Sequence, residues 1–338
     1  MKNDYTMQSE CLSNGFEKTE THMNIVYHND WMNNTLEDKS VQLIIADPPY
    51  FETKGHFDFV WNSFADYLID VEKWAVECKR VLAENGTLFW FGSSKRIAYA
   101  QIIFDKYFYL VNNLTWEKAE ADGLFGSTGS EQLRSFPNST ERILMYSNEV
   151  ERTGLEVIKL DMDNFQTLRK YFKDLQEWIG VGLKKINEKL GHRKAEHGFY
   201  HSSTQWDLPT IETYQELIQH FQIDKWGNYK EYEALRQEYE ALRRPFHNFY
   251  KSTEILKARF TPSEYDHETV KPEKLARLLI KTCSRENDLV FVPFAGSGTE
   301  CAMCIKEKRN FIGFDINEKY VEMANIRCDA ISKTPSLF

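Results

Sequence analysis

A doubly wound α/β fold, with a mostly parallel sheet of the seven-stranded type and a mainly helical region inserted into it, is what the 338-residue sequence predicts. Three observations lead there. Short apolar runs alternate with helical periodicity through the first 150 residues, the stretch after them turns polar and helical, and the alternation returns from Asp266. The expected divisions are an N-terminal extension over 1–23, a first part of the sheet domain over 24–150, an insertion over 151–265 and a second part over 266–338. With 42% hydrophobic and 14% aromatic residues, the chain can bury one large core or two ordinary ones, which suits one α/β domain carrying an insertion.

In chain order, NIVYHND is a short strand ending at Asp30 and VQLIIA is the next. FADYLIDVEKWAVECKRVLAENG is helical, with Leu68, Val71, Cys78 and Leu82 on one face and Asn-Gly as its stop. TLFWFGS is apolar on both faces, as a strand covered by helices on each side must be. IAYAQIIFDKY then reads as a helix, and FYLVNNLTWEK and RILMYS as strands. In the middle, EYEALRQEYEALRRPF repeats itself once at seven residues; a single echo suits one amphipathic helix lying over another, stopped by Pro245. The last part runs KPEKLARLLIKTC (helix, Pro272 in its first turn), DLVFVPF (strand), AGSGT (glycine turn), ECAMCIKEK (helix), NFIGFDI (strand ending at Asp315) and EKYVEMANIRC (helix).

The net charge is −9, yet residues 151–265 hold 18 Lys+Arg against 18 Asp+Glu, so the flanking parts carry the whole excess. Within that neutral middle, Lys184, Lys185, Lys189, Arg193 and Lys194, with His192 beside them, face one acid, Glu188, over residues 183–194. Such a run is either a solvated face or a set of phosphate contacts. VGLKKINEKLGHRKAEHGFY has the grammar of a helix-turn-helix: Leu183, Ile186 and Leu190 pack inward, Gly191 turns, and a second helix brings Arg193, Lys194 and His197 forward. A plain helical hairpin is the other reading. The six cysteines are scattered, and Cys301-x-x-Cys304 falls on a helix, where packing explains the spacing better than a metal does. His192, His197 and His201 have no cysteine near them, and no metal is implied. The absence of a long apolar run or a signal-like start predicts a cytoplasmic protein without membrane contact.

Two strand ends carry chemistry. PFAGSGT (293–299) lies between a predicted strand and a predicted helix, where Gly296 and Gly298 let the backbone turn sharply and approach a ligand. Asp315 ends the following strand, where a carboxylate can accept both hydroxyls of a ribose. Cys301 stands where a dinucleotide fingerprint has its third glycine, which points to a nucleoside-bearing ligand other than NAD. The strand VQLIIA runs into Asp47, Pro48, Pro49 and Tyr50. Alone this is a turn after a core strand. Beside a nucleoside site it reads differently, because the prolines stiffen the backbone and hold two acceptors, the Asp47 carboxylate and the Pro48 carbonyl, at a strand's carboxyl end. Two fixed acceptors suit an exocyclic amino group on a flat ring, and Tyr50 can stack on that ring.

ADPPY followed much later by PFAGSGT resembles the DNA amino-methyltransferases, in the motif order of their β group. YHNDW, STERILMYS and HETVKP resemble further segments of that family, over residues 24–150 and 266–330. The resemblance implies S-adenosylmethionine as cofactor and no metal. It places Asp30, Pro293, Phe294, Gly296, Ser297, Gly298, Thr299 and Asp315 around the cofactor, Thr269, Lys271 and Pro272 near its methionine part, and the insertion on the target DNA. Val292 stands where the family has an aspartate, and Glu268 where it has a proline. The implied reaction is methyl transfer to N6 of a flipped adenine in double-stranded DNA, with Asp47, Pro48, Pro49 and Tyr50 as the base cradle, Phe51 and Trp90 as walls, and Lys184, Lys185, Arg193, Lys194 and His197 on DNA. Cytosine N4 is the nearest alternative, followed by RNA or protein methylation and a DNA-binding relative without turnover. The recognised sequence, a restriction endonuclease partner and a homodimer stay open.

Overall fold

The computed structural model describes residues 22–51, 60–118, 134, 136, 138–148, 165–203, 205–258 and 270–333. Among the described residues, one sheet of eight strands is built from β1 (Ile25–His28), β2 (Val41–Ala46), β3 (Leu82–Ser93), β4 (Tyr109–Glu117), β5 (Thr140–Ser147), β6 (Ile255–Lys257), β7 (Leu289–Val292) and β8 (Asn310–Asp315). Their order is β1-β8-β7-β2-β3-β5-β4-β6. All pairings are parallel except those of β5 with β3 and β4. The sheet is thus mostly parallel as expected, with one strand more than the seven-stranded type. The added strand, β6, comes from within 151–265 and pairs with Thr115–Glu117 of β4.

Alternation along the strands divides the core into two layers. Leu88 and Trp90 of β3 pack with α1 (Phe64–Val81) and α2 (Ile97–Phe104). Phe89 and Phe91 point the other way, into the layer of α7 (Glu273–Cys283), α8 (Thr299–Lys306) and α9 (Glu318–Ser332). Ser63 caps α1 by accepting the Asp66 N–H at 3.2 Å. That helix ends at Val81 rather than at Asn85-Gly86. Leu82 and Ala83 are buried and Leu82 pairs with Val41, so strand pairing claims residues that local turn chemistry assigned to a helix end. At the outer edge, Asn325 of α9 stands in for a missing strand neighbour: it accepts the Val26 N–H at 2.9 Å and donates to the Val26 carbonyl at 2.8 Å.

The insertion has its own core, in which Phe172, Leu175, Ile186, Tyr214, Leu217 and Leu235 join α3 (Gln166–Ile179), α4 (Leu183–Leu190), α5 (Ile211–Phe221) and α6 (Tyr232–Leu242). The echo sequence forms α6, which lies over α3, with Thr167 donating to Glu238 at 2.8 Å. The helix-turn-helix expectation is corrected. α4 forms and Gly191 caps it with φ +76°, but the next element is a single 3-10 turn, Glu196–Phe199. The physical reason is inward anchoring. Glu196 is buried and accepts from Asn187, Arg193 and Tyr200, while a Cβ on Gly198 would stand 2.6 Å from Pro209 Cγ. Asn85 donates to the Ala241 carbonyl at 2.6 Å and Arg285 to the Arg243 carbonyl at 2.6 Å, bonds that fasten the insertion at the amino-terminal end of the sheet. Cys301 and Cys304 are buried on α8, where burial pushes both thiols up, in keeping with packing. Among the described residues, no helix is long and apolar enough to cross a membrane.

Candidate active site

β2 lies between β3 on one side and β7 on the other, so the chain leaves it in one direction early and in the opposite direction late. That is a topological switch point, where open α/β sheets form a crevice at the carboxyl ends of their strands. Leu43 pairs with Val290 and Ile44 with Phe291, which brings Asp47–Tyr50 and Pro293–Thr299 to the same end of adjacent strands.

At the β2 end, Asp47 is held at both oxygens. Its Oδ2 lies 2.6 Å from Lys271 Nζ, and its Oδ1 accepts from the Tyr50 hydroxyl at 2.6 Å. Lys271 also reaches Glu141 Oε2 at 3.4 Å, and Lys118 pairs with Glu141 Oε1 at 3.0 Å. The Lys271 side chain is only 6% exposed, with its ammonium over the rings of Tyr50, Phe91 and Trp116. Burial raises Asp47 above its ordinary value; Lys271 opposes this and Glu141 adds to it. Against the penalty of burial, Lys271 and Lys118 hold Glu141 below its ordinary value. Lys271 stays charged because the two acids outweigh its own desolvation. Tyr50 is raised by burial and by both acids, so its hydroxyl keeps its proton.

Phe51 is buried beneath Arg96, which stacks 4.7 Å from its ring and donates to its carbonyl at 2.9 Å. Trp90 is a core ring against Phe104 at 4.5 Å. With Tyr50 they border a cavity of about 10 Å³, room for about one water and far short of a nucleobase.

At the β7 end, Gly296 and Gly298 have φ of +49° and +70°. Gly298 caps α8, and a Cβ there would stand 2.6 Å from Ala324 Cβ of α9, so both conformation and space require glycine. Asp315 Oδ2 accepts the Gly296 N–H at 2.9 Å and Oδ1 the Asn317 N–H at 2.8 Å, which aims the carboxylate across the turn. Phe294 packs on Trp31 and Trp74. Ser297 and Thr299 are buried; their hydroxyls lie 3.2 Å apart, and Arg327 donates to Thr299 Oγ1 at 2.8 Å, so these side chains brace the turn from behind. Asp30 is exposed and accepts the Met32 N–H at 2.9 Å. Because His28 of β1 pairs with Asp315, Asp30 belongs to the same rim. Val292, in place of the family's aspartate, is a core residue.

Thr269 lies outside the described residues, as does most of the polar loop 126–141. Lys271, expected near the methionine part of a cofactor, has its ammonium on Asp47 and Glu141. Lys184, Lys185, Arg193, Lys194 and His197 are exposed on the insertion. Arg193 pairs with Glu196 at 2.6 Å and His197 Nδ1 lies 2.8 Å from the Gln205 carbonyl oxygen. The bonds from Asn85 and Arg285 hold the insertion's helical part at the end opposite Asp47, whereas β6 joins β4 at the Asp47 end.

Reading the sequence missed Glu141 and Lys118. A charge at either position looks like solvent-facing strand polarity; only the antiparallel run of β5, pairing Glu141 with Ser93, delivers it to the carboxyl ends of β2 and β3. Ile316 was missed as well. It is 71% exposed beside Asp315 and offers a flat ligand an apolar surface. Glu300 is buried on α8, and burial together with Asp47 pushes it up to about 7.

Removing Lys271 leaves Asp47 and Glu141 facing each other without their shared cation. Lys271→Met should lower unfolding free energy by about 3–5 kcal/mol near neutral pH, measured by urea denaturation. The variant's carboxylates have raised folded-state pKa values, so their stability is retained below the unfolded carboxylate pKa and lost as pH rises. The deficit should therefore shrink as pH falls toward about 4. A deficit independent of pH would contradict the charge assignment.

The profile of the family described as DNA methylase matches residues 41–326. The type II methyltransferase M.HpaI of Haemophilus parainfluenzae is 25% identical over 298 residues, covering 87% of this chain and 70% of that protein. The DNA adenine methyltransferase YhdJ of Escherichia coli K12 is 24% identical over 298 residues, covering 87% of this chain and 78% of that protein. Among solved structures, the cytosine-N4-specific PvuII DNA methyltransferase aligns with a TM-score of 0.52 at 13% identity, covering 93% of this chain and 87% of that one, a likeness of fold. The matched profile runs from β2 through the insertion into α9, over the strand ends that form the crevice, and the chain belongs to the DNA methylase family.

Proposed function

We propose that the protein transfers a methyl group from S-adenosylmethionine to N6 of an adenine flipped out of duplex DNA. The observation that carries this reading is the adjacency of β2 and β7, which sets an acceptor cradle and a glycine turn side by side at one switch point. The turn fits the cofactor. Gly296 and Gly298 put no side chain in the way of it, Asp315 faces it with lone pairs left for ribose hydroxyls, and Ile316 adds an apolar surface for the adenine ring. When bound, the cofactor supplies an electrophilic methyl on a sulfonium.

The chain's residues supply alignment. Asp47 and the Pro48 carbonyl accept the protons of the base amine, favouring the pyramidal nitrogen that can attack, and Tyr50 stacks on the ring. Catalysis then rests on orientation and on charges fixed before the base arrives. The cavity beside Tyr50 and Phe51 is too small for a base, so the flipped adenine enters from the crevice or widens that cavity as it binds. Aspartate at 47 supports adenine over cytosine N4, as does the name of the relative YhdJ. Asp47→Ala should lower methylation by about 10²–10³ or more while cofactor affinity, read by calorimetry, stays within about threefold. Asp315→Ala should weaken that affinity about tenfold or more. Near-normal turnover in the first variant, or unchanged affinity in the second, would sink the assignment.

Lys184, Lys185, Arg193, Lys194 and His197 are proposed as DNA contacts, supported by their exposure on one short stretch of the insertion. Since phosphate contacts release counterions, Lys184→Gln with Lys185→Gln should reduce the slope of log affinity against log salt by about 1 for each phosphate no longer neutralised. An unchanged slope would return these residues to the role of a solvated helix face.

A further inference from the structure

We propose that Glu141 is a positioning residue for methyl transfer: it takes over the Tyr50 hydroxyl and shares the Lys271 charge, freeing Asp47 to receive the adenine amine. This inference rests on the function proposed above. Both oxygens of Asp47 are already engaged, one by Tyr50 and one by Lys271, each at 2.6 Å. An incoming amine competes with Tyr50 for Oδ1, and Tyr50 must give up that bond for its ring to lie over the base. A half-buried phenolic hydroxyl that gives up one acceptor is stabilised by finding another. Glu141 Oε2 lies 3.2 Å from the same hydroxyl. Glu141 can take that bond and remain an anion, because its other oxygen is paired with Lys118 at 3.0 Å.

The same geometry bears on the proton. As the nitrogen–carbon bond forms, the methyl–sulfur bond breaks with its electron pair left on sulfur. The nitrogen, now positive, loses a proton to the Asp47 carboxylate: an O–H bond forms and the N–H pair returns to nitrogen. Five groups surround Asp47 as it does so. Tyr50 comes from its own segment, Lys271 from the entry to α7, Glu141 from β5 with Lys118 behind it at the end of β4, and Glu300 from α8. Glu141 competes with Asp47 for Lys271, so an anionic Glu141 makes Asp47 the better proton acceptor.

The test is the single-turnover methylation rate against pH for the wild type, Glu141→Gln, Glu141→Asp and Lys118→Met. Asp47 works as the anion, so the rate rises with pH through its titration. Removing the Glu141 charge leaves Lys271 to Asp47 alone and lowers its proton affinity. Glu141→Gln should therefore move the acid limb to lower pH and cut the plateau rate about tenfold, because a neutral amide oxygen is a weaker acceptor for Tyr50 than a carboxylate and Asp47 becomes the weaker base. Lys118→Met removes a cation and should move the limb to higher pH, while Glu141→Asp should leave it in place. A limb that does not move in Glu141→Gln or in Lys118→Met, or that moves in the opposite sense, overturns the proposal. Cofactor affinity by calorimetry should match wild type in all three, and a loss there would assign Glu141 a purely structural role. Should Glu141→Gln fail to fold, the sign of the Lys118→Met shift decides alone. A wild-type protein that methylates no base would mean failure of the proposed function, a result distinct from an unmoved limb.

Discussion

Leu43 lies beside Val290 and Ile44 beside Phe291, and this register sets residues 47 and 293 at the same end of neighbouring strands. The two segments are far apart in sequence. Their meeting depends on a sheet that grows in both directions from β2, toward β3 on one side and β7 on the other. Were β7 at an edge, the glycine turn and the acidic cradle would face different solvent, and neither would have a reactant to share. Both strands are buried and pack on helical layers on each face, so the register is specified by the whole core.

On that frame sits a group of ions that folding alone does not favour. Lys271 and its two carboxylates are largely removed from water, and replacing such a group by apolar side chains is often neutral or stabilising. Its presence makes sense if the charges work on a ligand. Asp47 is raised toward proton acceptance while Glu141 is held down by its two lysines, so the pair is split into unequal partners. The aromatic floor of Tyr50, Phe91 and Trp116 under Lys271 limits solvent access and strengthens every charge above it.

Much of this was legible in the sequence. VQLIIA is a strand with the bounds its apolar run suggests, and Gly296, Gly298 and Asp315 form the turn and acid that their spacing implies. The features that local reading missed were decided by distant contacts. Asn85-Gly86 looks like a helix stop, yet Val41 pairs with Leu82 and draws those residues into a strand. The second arm of the supposed helix-turn-helix stays a 3-10 turn because Glu196 and Gly198 are anchored in the insertion's own core. Glu141 is one acid in a strand of mixed polarity, and no periodicity distinguishes it from a surface residue. Lys271 was singled out by family resemblance alone, and its ion pairs with Asp47 and Glu141 join segments too far apart in the chain for spacing to reveal.

Incubation of the purified protein with methyl-labelled S-adenosylmethionine and DNA of mixed sequence, followed by digestion and nucleoside analysis, bears most directly on the chemistry of the crevice. The label is expected in N6-methyladenine. Label in N4-methylcytosine, or DNA that stays unlabelled, would contradict the assignment.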